Sequence, residues 1–204
     1  MPISQIVTNS IATGAVVADD LADGSVTNAK IASMAASKLT GQVPRANAPS
    51  GSVIQVVQAT KTNTQGINAS GWTDISGLSL NITPTSTSST ILILAQVQVG
   101  TSEQFSVDSG LGIYRNSTLV LQGDAAGSRS RTTVGVGARA RYEINSNSIM
   151  YVDNPATTSS TNYNIKFFRS GTDGTMQINR EMDDADASSS FRTTSSIIAM
   201  EIAG

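Results

Sequence analysis

The hydrophobic positions of this chain follow one rule before residue 50 and another after residue 53. In the first segment, large aliphatic residues recur at every fifth position: Ile6, Ile11, Val16, Leu21, Val26 and Ile31. An α-helix would rotate each of these side chains by about 140° from the previous one. A strand would send successive ones to opposite faces. Because neither forms an apolar face, we interpret the segment as a repeat of short turn-like units.

One aliphatic residue in five cannot close a core within a single chain. Three parallel chains around a symmetry axis would place three aliphatic side chains in each layer, which predicts a homotrimer with these six residues at its axis. Two alternatives remain open. A single-chain pentapeptide β-helix would have about one and a half coils from six repeats, too few for stability. The segment could also be a flexible linker in which the spacing arises by chance.

The pattern changes after a Pro- and Gly-containing stretch, residues 40–52, which we interpret as a neck. From residue 53 onwards, apolar and polar residues alternate as in strands. Ile91, Ile93 and Ala95 share one side of a long predicted strand, whose other side begins apolar and then becomes polar. Further strands are predicted near 53–58, 78–83, 111–113, 118–121, 138–144, 149–152, 163–168, 175–179 and 195–202.

These elements predict an all-β protein in which an N-terminal extended, trimeric pentad-repeat segment precedes an antiparallel β-sandwich, jelly-roll-like in connection. We divide the chain into a trimerisation and docking segment, 1–39, the neck, 40–52, and a β-sandwich head domain, 53–204.

Composition excludes several kinds of chemistry. The 204 residues include no Cys and no His, so disulfides, the usual zinc sites and Ser-His or Cys-His nucleophilic sites cannot form. The net charge of -2, with 14% charged residues, argues against nucleic acid as a partner. No run approaches the roughly 20 apolar residues of a membrane span. The N-terminus lacks the pattern of a signal peptide, so we expect assembly in a cytoplasm.

Two polar clusters are candidates for interaction. Arg129 and Arg131, followed by Arg139 and Arg141, form two alternating pairs. We interpret them as a solvated sheet face or as a subunit contact to carboxylates, with phosphate binding as a third alternative. The acidic residues around Asp184 and Asp186 do not fit a twelve-residue calcium loop, and we expect a solvated loop or a looser ion site.

No catalytic, cofactor or metal site is predicted. Residues 135–140 match the spacing of a dinucleotide-binding glycine motif, but the residues that follow continue a strand pattern rather than begin a helix. A glycan-cleaving enzyme would need paired carboxylates, commonly beside aromatic platforms. The chain has one Trp and no evident pair, so we expect no enzymatic activity.

The text GSVTNAKIAS, preceded by NSIATGAVVADDLAD, resembles the tandem repeats of bacteriophage tail-fibre and head-fibre virion proteins. The later segments GSVIQVVQAT, GLGIYRNSTLV and SSIIAMEIAG resemble a C-terminal module of phages that infect cyanobacteria and marine bacteria. The resemblance implies a trimeric appendage of the virion, assembled in the host bacterial cytoplasm. Such fibres are usually much longer, which leaves the capsid, the neck and the baseplate open as locations.

From these observations we expect a homotrimeric short fibre that docks on other virion proteins by its N-terminus and projects its sandwich. The alternatives are a capsid decoration protein and a module that recognises a glycan on the host surface.

Overall fold

The computed structural model describes residues 11–27, 29, 31, 33, 44, 47–101, 108–137 and 142–204. The chain divides into two compact units, Met1–Gln42 and Val43–Gly204. Ile6, Arg139 and Arg141, singled out above, lie outside the described residues.

The described part of the first unit consists of turns. A 3-10 turn, η1, spans Ala18–Asp20. It lies between two hydrogen-bonded turns, in which the amides of Ala15 and Ser25 donate to the carbonyls of Ala12 and Ala22, each at 3.0 Å.

The second unit is built of antiparallel strands, as the alternating pattern predicts. In chain order they are β1 Val53–Lys61, β2 Gln65–Ile67, β3 Gly71–Ile82, β4 Thr90–Thr101, β5 Ser109–Arg115, β6 Thr118–Leu119, β7 Val134–Val136, β8 Ile144–Asp153, β9 Thr161–Arg169, β10 Met176–Ile178 and β11 Ser195–Ile202.

The strands form two sheets that share one hydrophobic core. Sheet A runs β8-β4-β11-β1, and the short strands β10 and β2 continue the positions of β11 and β1 beyond their ends. Sheet B runs β3-β9-β5, with β6 and β7 both paired to β5. Counting β6 and β7 as one broken strand, this order matches that of a jelly roll, so the predicted antiparallel sandwich is confirmed.

Alternation determines which residues enter the core. In β4, the buried residues are Ile91, Ile93, Ala95, Val97 and Val99, whereas the residues between them face outwards. Sheet B contributes Leu111, Ile113, Ile165 and Phe167 from the opposite side. Both sheets therefore have one buried face and one outer face, and the outer faces carry the candidate interaction surfaces.

A bulge in β3 reverses its alternation. Asp74 pairs with Lys166 and Ser79 with Asn164, so the four residues of β3 between these pairs lie opposite a single residue of β9. Gly77 lies in this bulge with a φ of 83°, which favours glycine. Before the bulge Ile75 points inwards, and after it Leu78 and Leu80 do. As a consequence, Trp72 and Asp74 lie on the outer face of sheet B.

Two details differ from the predicted strands. The predicted strand at 138–144 is wrong in its described part, because β8 begins at Ile144 while Tyr142 is exposed. The short strands β2 and β7 were missed, since three residues carry too little alternation. Among the described residues, no helix is long and apolar enough to cross a membrane.

Candidate functional site

The turn repeat, residues 11–27, presents one aliphatic side chain between successive turns. Gly14 and Gly24 are the third residues of their turns and have φ angles of 79° and 74°, a conformation that favours glycine. In the intervening turn, the Asp20 amide donates to the Val17 carbonyl at 3.1 Å, and the Val17 amide donates to Asp20 Oδ2 at 3.0 Å. Each turn therefore has its own backbone bond.

The aliphatic side chains of this segment remain open to solvent in the single chain. Between 39% and 52% of the surface of each is exposed, for Ile11, Val16, Leu21, Val26 and Ile31. Five such residues at regular spacing give a segment that buries little by itself. The trimer axis predicted for them remains a prediction.

The outer face of sheet A carries a continuous apolar surface, which we call the apolar face. It comprises nine residues on four adjacent strands: Val53, Val56, Leu92, Leu94, Met150, Val152, Ile198, Met200 and Ile202. Cross-strand register joins them into rows, since Leu92 pairs with both Val152 and Met200, and Leu94 pairs with both Met150 and Ile198. Met150 is 76% exposed.

The same sheet face becomes polar further along the strands. Gln96 and Gln98 both donate to Ser146 Oγ, at 2.7 and 3.1 Å, with Ser148 and Ser196 on either side of Gln96. A shallow depression of about 260 Å³ lies at the boundary, lined among others by Leu94, Met150, Ser148 and Ser196. The outward residues that the structure describes on β1, β4, β8 and β11 include no ionisable side chain.

The outer face of sheet B carries a cluster of aromatic rings, which we call the aromatic face. Trp72 lies edge-on to Tyr114, with ring centroids 5.4 Å apart, and tilted against Phe168 at 5.2 Å. The Trp72 ring reaches across β9 to Gly112, where a Cβ atom would lie only 2.7 Å from its Cη2 and Cζ3 atoms. Glycine at this position thus makes room for the indole.

Charged groups border these rings. Lys166 Nζ lies 3.1 Å from Asp74 Oδ1 and 4.9 Å from the centre of the Tyr114 ring. Burial, together with the negative charge of Asp74, raises the pKa of Tyr114 above 10.0. The aromatic face therefore combines partly buried rings with an exposed carboxylate and an ammonium group.

Several charged side chains are buried at the ends of the sandwich, and sequence patterns gave no signal for them. Glu201 is fully buried and accepts hydrogen bonds from Gln55 Nε2, from the amide and hydroxyl of Thr85 and from Ser89. Arg169 donates to the carbonyls of Ile67, Asp173 and Gly174. Such groups fix loops to strands and do not face a binding surface.

A second buried carboxylate joins the two sheets near the start of β9. Asp153 accepts hydrogen bonds from Arg115 Nη1, at 2.9 and 3.0 Å, and from the Tyr163 hydroxyl at 2.5 Å. Burial and this bond to Asp153 raise the pKa of Tyr163. The arrangement holds β5, β8 and β9 together and offers no proton donor or nucleophile to solvent.

The predicted polar clusters have local partners. Arg129 Nη1 donates to the Ala126 carbonyl and Arg131 Nε to the Gly123 carbonyl, so both bond to their own loop. Asp184 receives two hydrogen bonds from Arg192, at 2.7 and 2.8 Å, and lies 3.2 Å from Arg180. Arg192 is 64% exposed, so these ion pairs lie at the surface, and both the solvated loop and the looser ion site stay predictions. The described residues contain no acidic group of three suited to a metal.

Comparison with known proteins finds similarity in structure without a match in sequence. No protein-family model and no curated protein matches this sequence. Among solved structures, the chain is similar to a chain in the structure of the infectious bursal disease virus Gx strain, at 16% identity and a TM-score of 0.38. The match covers 74% of this chain and 37% of that one.

Proposed function

We propose that this protein is a non-enzymatic structural component of a virus particle, a homotrimeric short fibre. In this proposal, the turn repeat docks on other virion proteins of the capsid, neck or baseplate, and the sandwich projects outwards. Assembly takes place in the cytoplasm of the host bacterium. Neither nucleic acid nor a lipid bilayer is a partner.

The observation that carries the proposal is the half-exposed aliphatic series of the turn repeat. Burying an aliphatic side chain contributes about 1.5–3 kcal/mol. A segment that leaves one such side chain in every five residues in water gains this free energy when copies of itself supply the other walls of each layer. Each turn is closed by its own backbone hydrogen bond, so the segment can present its aliphatic side chains at regular intervals.

The two ends of the protein have different surface chemistry, which supports the proposed orientation. The sandwich has its own hydrophobic core, built from residues of a single chain. The turn repeat has mostly exposed side chains in the described residues. It is therefore the part that gains most from contact with copies of itself and with a particle.

Labelled particles test the orientation. The loop at residues 170–175 follows the end of β9, whereas β9 begins beside Ile82, close to where the chain enters the sandwich. A biotin attached to Thr172→Cys should bind gold-conjugated streptavidin at the outer tip of the appendage in electron micrographs. Gold at the particle surface, with the turn repeat accessible, would instead favour a capsid decoration protein. Hundreds of copies per particle would favour the same alternative.

A second candidate function is recognition of a host-surface glycan by the aromatic face. The specific observation is the cluster of Trp72, Tyr114 and Phe168 beside Lys166 and beside Asp74, whose side chain is 68% exposed. Aromatic rings pack on the apolar faces of sugar rings, and carboxylates accept hydrogen bonds from paired hydroxyls. This function is compatible with a fibre, because the sandwich is its projecting part.

Intrinsic fluorescence tests this candidate directly, because the chain has a single Trp. Titration with cell-surface polysaccharide of the host should shift the Trp72 emission, and Asp74→Asn should weaken the response at least tenfold. Asp124→Asn, in an exposed loop, serves as the matched control. Saturable binding that is unchanged in Asp74→Asn would place the glycan elsewhere, and no response would remove this candidate.

A further inference from the structure

We infer that the apolar face is a contact surface between copies of this chain, placed towards the three-fold axis of the trimer. The inference rests on the proposed function and deepens it, because it names the surface through which the sandwiches meet. It is carried by the shape and chemistry of sheet A and by the place where the chain enters it.

An outer sheet face with nine large apolar residues on four strands is unusual for a surface in water. Single exposed hydrophobic residues are normal, but contiguous patches mark interaction sites. The rows are continuous, running from Val152 through Leu92 and Met200 to Val56 on adjacent strands. This arrangement places apolar side chains of four strands side by side.

The chemistry of the face fits a second copy better than other partners. The described outward side chains of these strands carry no charge, so two copies would not oppose like charges. The polar rows contain Gln and Ser, which both donate and accept hydrogen bonds and so match their own copies. A lipid surface would favour Lys and Arg around the patch, and a sugar would favour aromatic rings. Neither occurs among those side chains.

The entry point of the chain brings copies of this face together. The Gly51 amide donates to the Ala203 carbonyl at 2.8 Å, and Val53 pairs with Ile202 at the apolar end of the face. Any assembly of the N-terminal segments therefore delivers the apolar ends of three sheets to the same neighbourhood. Tethering of this kind raises the local concentration to the millimolar range.

The area of the apolar face shows why its link to the N-terminal segment matters for the contact. Four strands about 4.8 Å apart, over the roughly five residues of each that the apolar face spans at 3.4 Å per residue, give a flat area of about 250 Å². A stable interface buries about 800 Å² per partner. The face is therefore too small to hold separate sandwiches together, and the contact should depend on the full chain.

Cysteine cross-linking tests the inference, since the chain has no Cys. Ser148 lies on the outer face of sheet A and Ser79 on that of sheet B, and both are exposed. With a short bis-maleimide, most of full-length Ser148→Cys should run on denaturing gels at twice 21.1 kDa. Ser79→Cys, the matched control, should stay at its single-chain mass. Adding Met150→Glu to Ser148→Cys should abolish the cross-link while light scattering still gives a trimer.

The possible outcomes separate this inference from the proposed function. A trimer in which Ser148→Cys cross-links no better than Ser79→Cys overturns the inference and leaves the fibre intact. If the Ser148→Cys thiol is free in the trimer but protected from maleimide on particles, another virion protein covers the face, which also overturns the inference. A monomer by light scattering refutes the trimer and the inference together.

Discussion

The buried carboxylate of Glu201 provides a sensitive test of how the sandwich is held together. Its Oε1 accepts the Thr85 amide at 2.6 Å and the hydroxyls of Thr85 and Ser89, both at 2.7 Å. Its Oε2 accepts Gln55 Nε2, which also donates to the Thr83 carbonyl at 2.7 Å. The carboxylate thus ties the loop before β4 to strands β1 and β11.

Replacement by glutamine keeps the shape but loses acceptors. In Glu201→Gln the amide oxygen can accept the three hydrogen bonds from Thr85 and Ser89. The amide nitrogen of the new Gln must then face Gln55 Nε2, and two donors oppose each other. Gln55 cannot turn its amide without placing its oxygen against the Thr83 carbonyl. One charge-assisted bond is lost and three others become neutral, so we expect the free energy of unfolding to fall by about 1–3 kcal/mol.

The same group predicts a pH dependence. Burial alone would raise the pKa of Glu201, but the hydrogen bonds from Gln55, Thr85 and Ser89 outweigh it and hold the pKa below 4.5. A carboxylate with a lowered folded-state pKa stabilises the fold above its unfolded pKa. This contribution is therefore complete at pH 7 and is lost as the pH falls below about 4.5 through the lower folded-state value.

Urea unfolding at fixed protein concentration, followed by Trp72 fluorescence from pH 7 down to pH 3, measures both effects. Glu201→Gln should be less stable at pH 7 and should lose less stability than the wild type on acidification. Asp124→Asn removes a carboxylate from an exposed loop and should change the stability by less than about 0.5 kcal/mol. Equal stability of Glu201→Gln and wild type at pH 7 would refute the reasoning.

Three further substitutions test other parts of the account. Leu21→Asp should dissociate the trimer, because it brings three like charges into one apolar layer, whereas Thr13→Asp, which adds the same charge within a turn, should leave the mass in light scattering unchanged. Gly112→Ala should lower the free energy of unfolding by about 1–3 kcal/mol and shift the fluorescence emission, since its Cβ would overlap the ring of Trp72; an unchanged spectrum would contradict that packing. Lys61→Met should raise the free energy of unfolding at pH 7 by about 1 kcal/mol, because burial lowers the pKa of this lysine below 10.5 and makes its charged form costly. The difference in the free energy of unfolding between the variant and the wild type should become smaller as the pH rises towards 10.5.

Alternation predicted the long strands well, because each of them buries one side. In β4, β9 and β11, residues such as Ile93, Ile165 and Ile197 enter the core at every second position. The same pattern could not predict the bulge in β3. Its extra residues, including Gly77, change the side to which Trp72 and Asp74 point.

The sequence predicted only part of each candidate surface. Leu92 and Leu94 indicate an apolar outer side of β4. Their cross-strand neighbours Met150 and Ile198, however, come from strands more than 50 residues further along the chain. Cross-strand pairing creates the apolar face, and no local pattern encodes it. Buried charges such as Glu201 were missed for a related reason, since a charged residue is ordinarily exposed and its partners lie far away in sequence.

The mass of the full-length protein in solution tests the central claim most directly. Light scattering on purified protein at micromolar concentration should give three times 21.1 kDa, and the value should persist on dilution. A mass of 21.1 kDa at that concentration would contradict the account, because the half-exposed aliphatic series of the turn repeat would then have no partner chains.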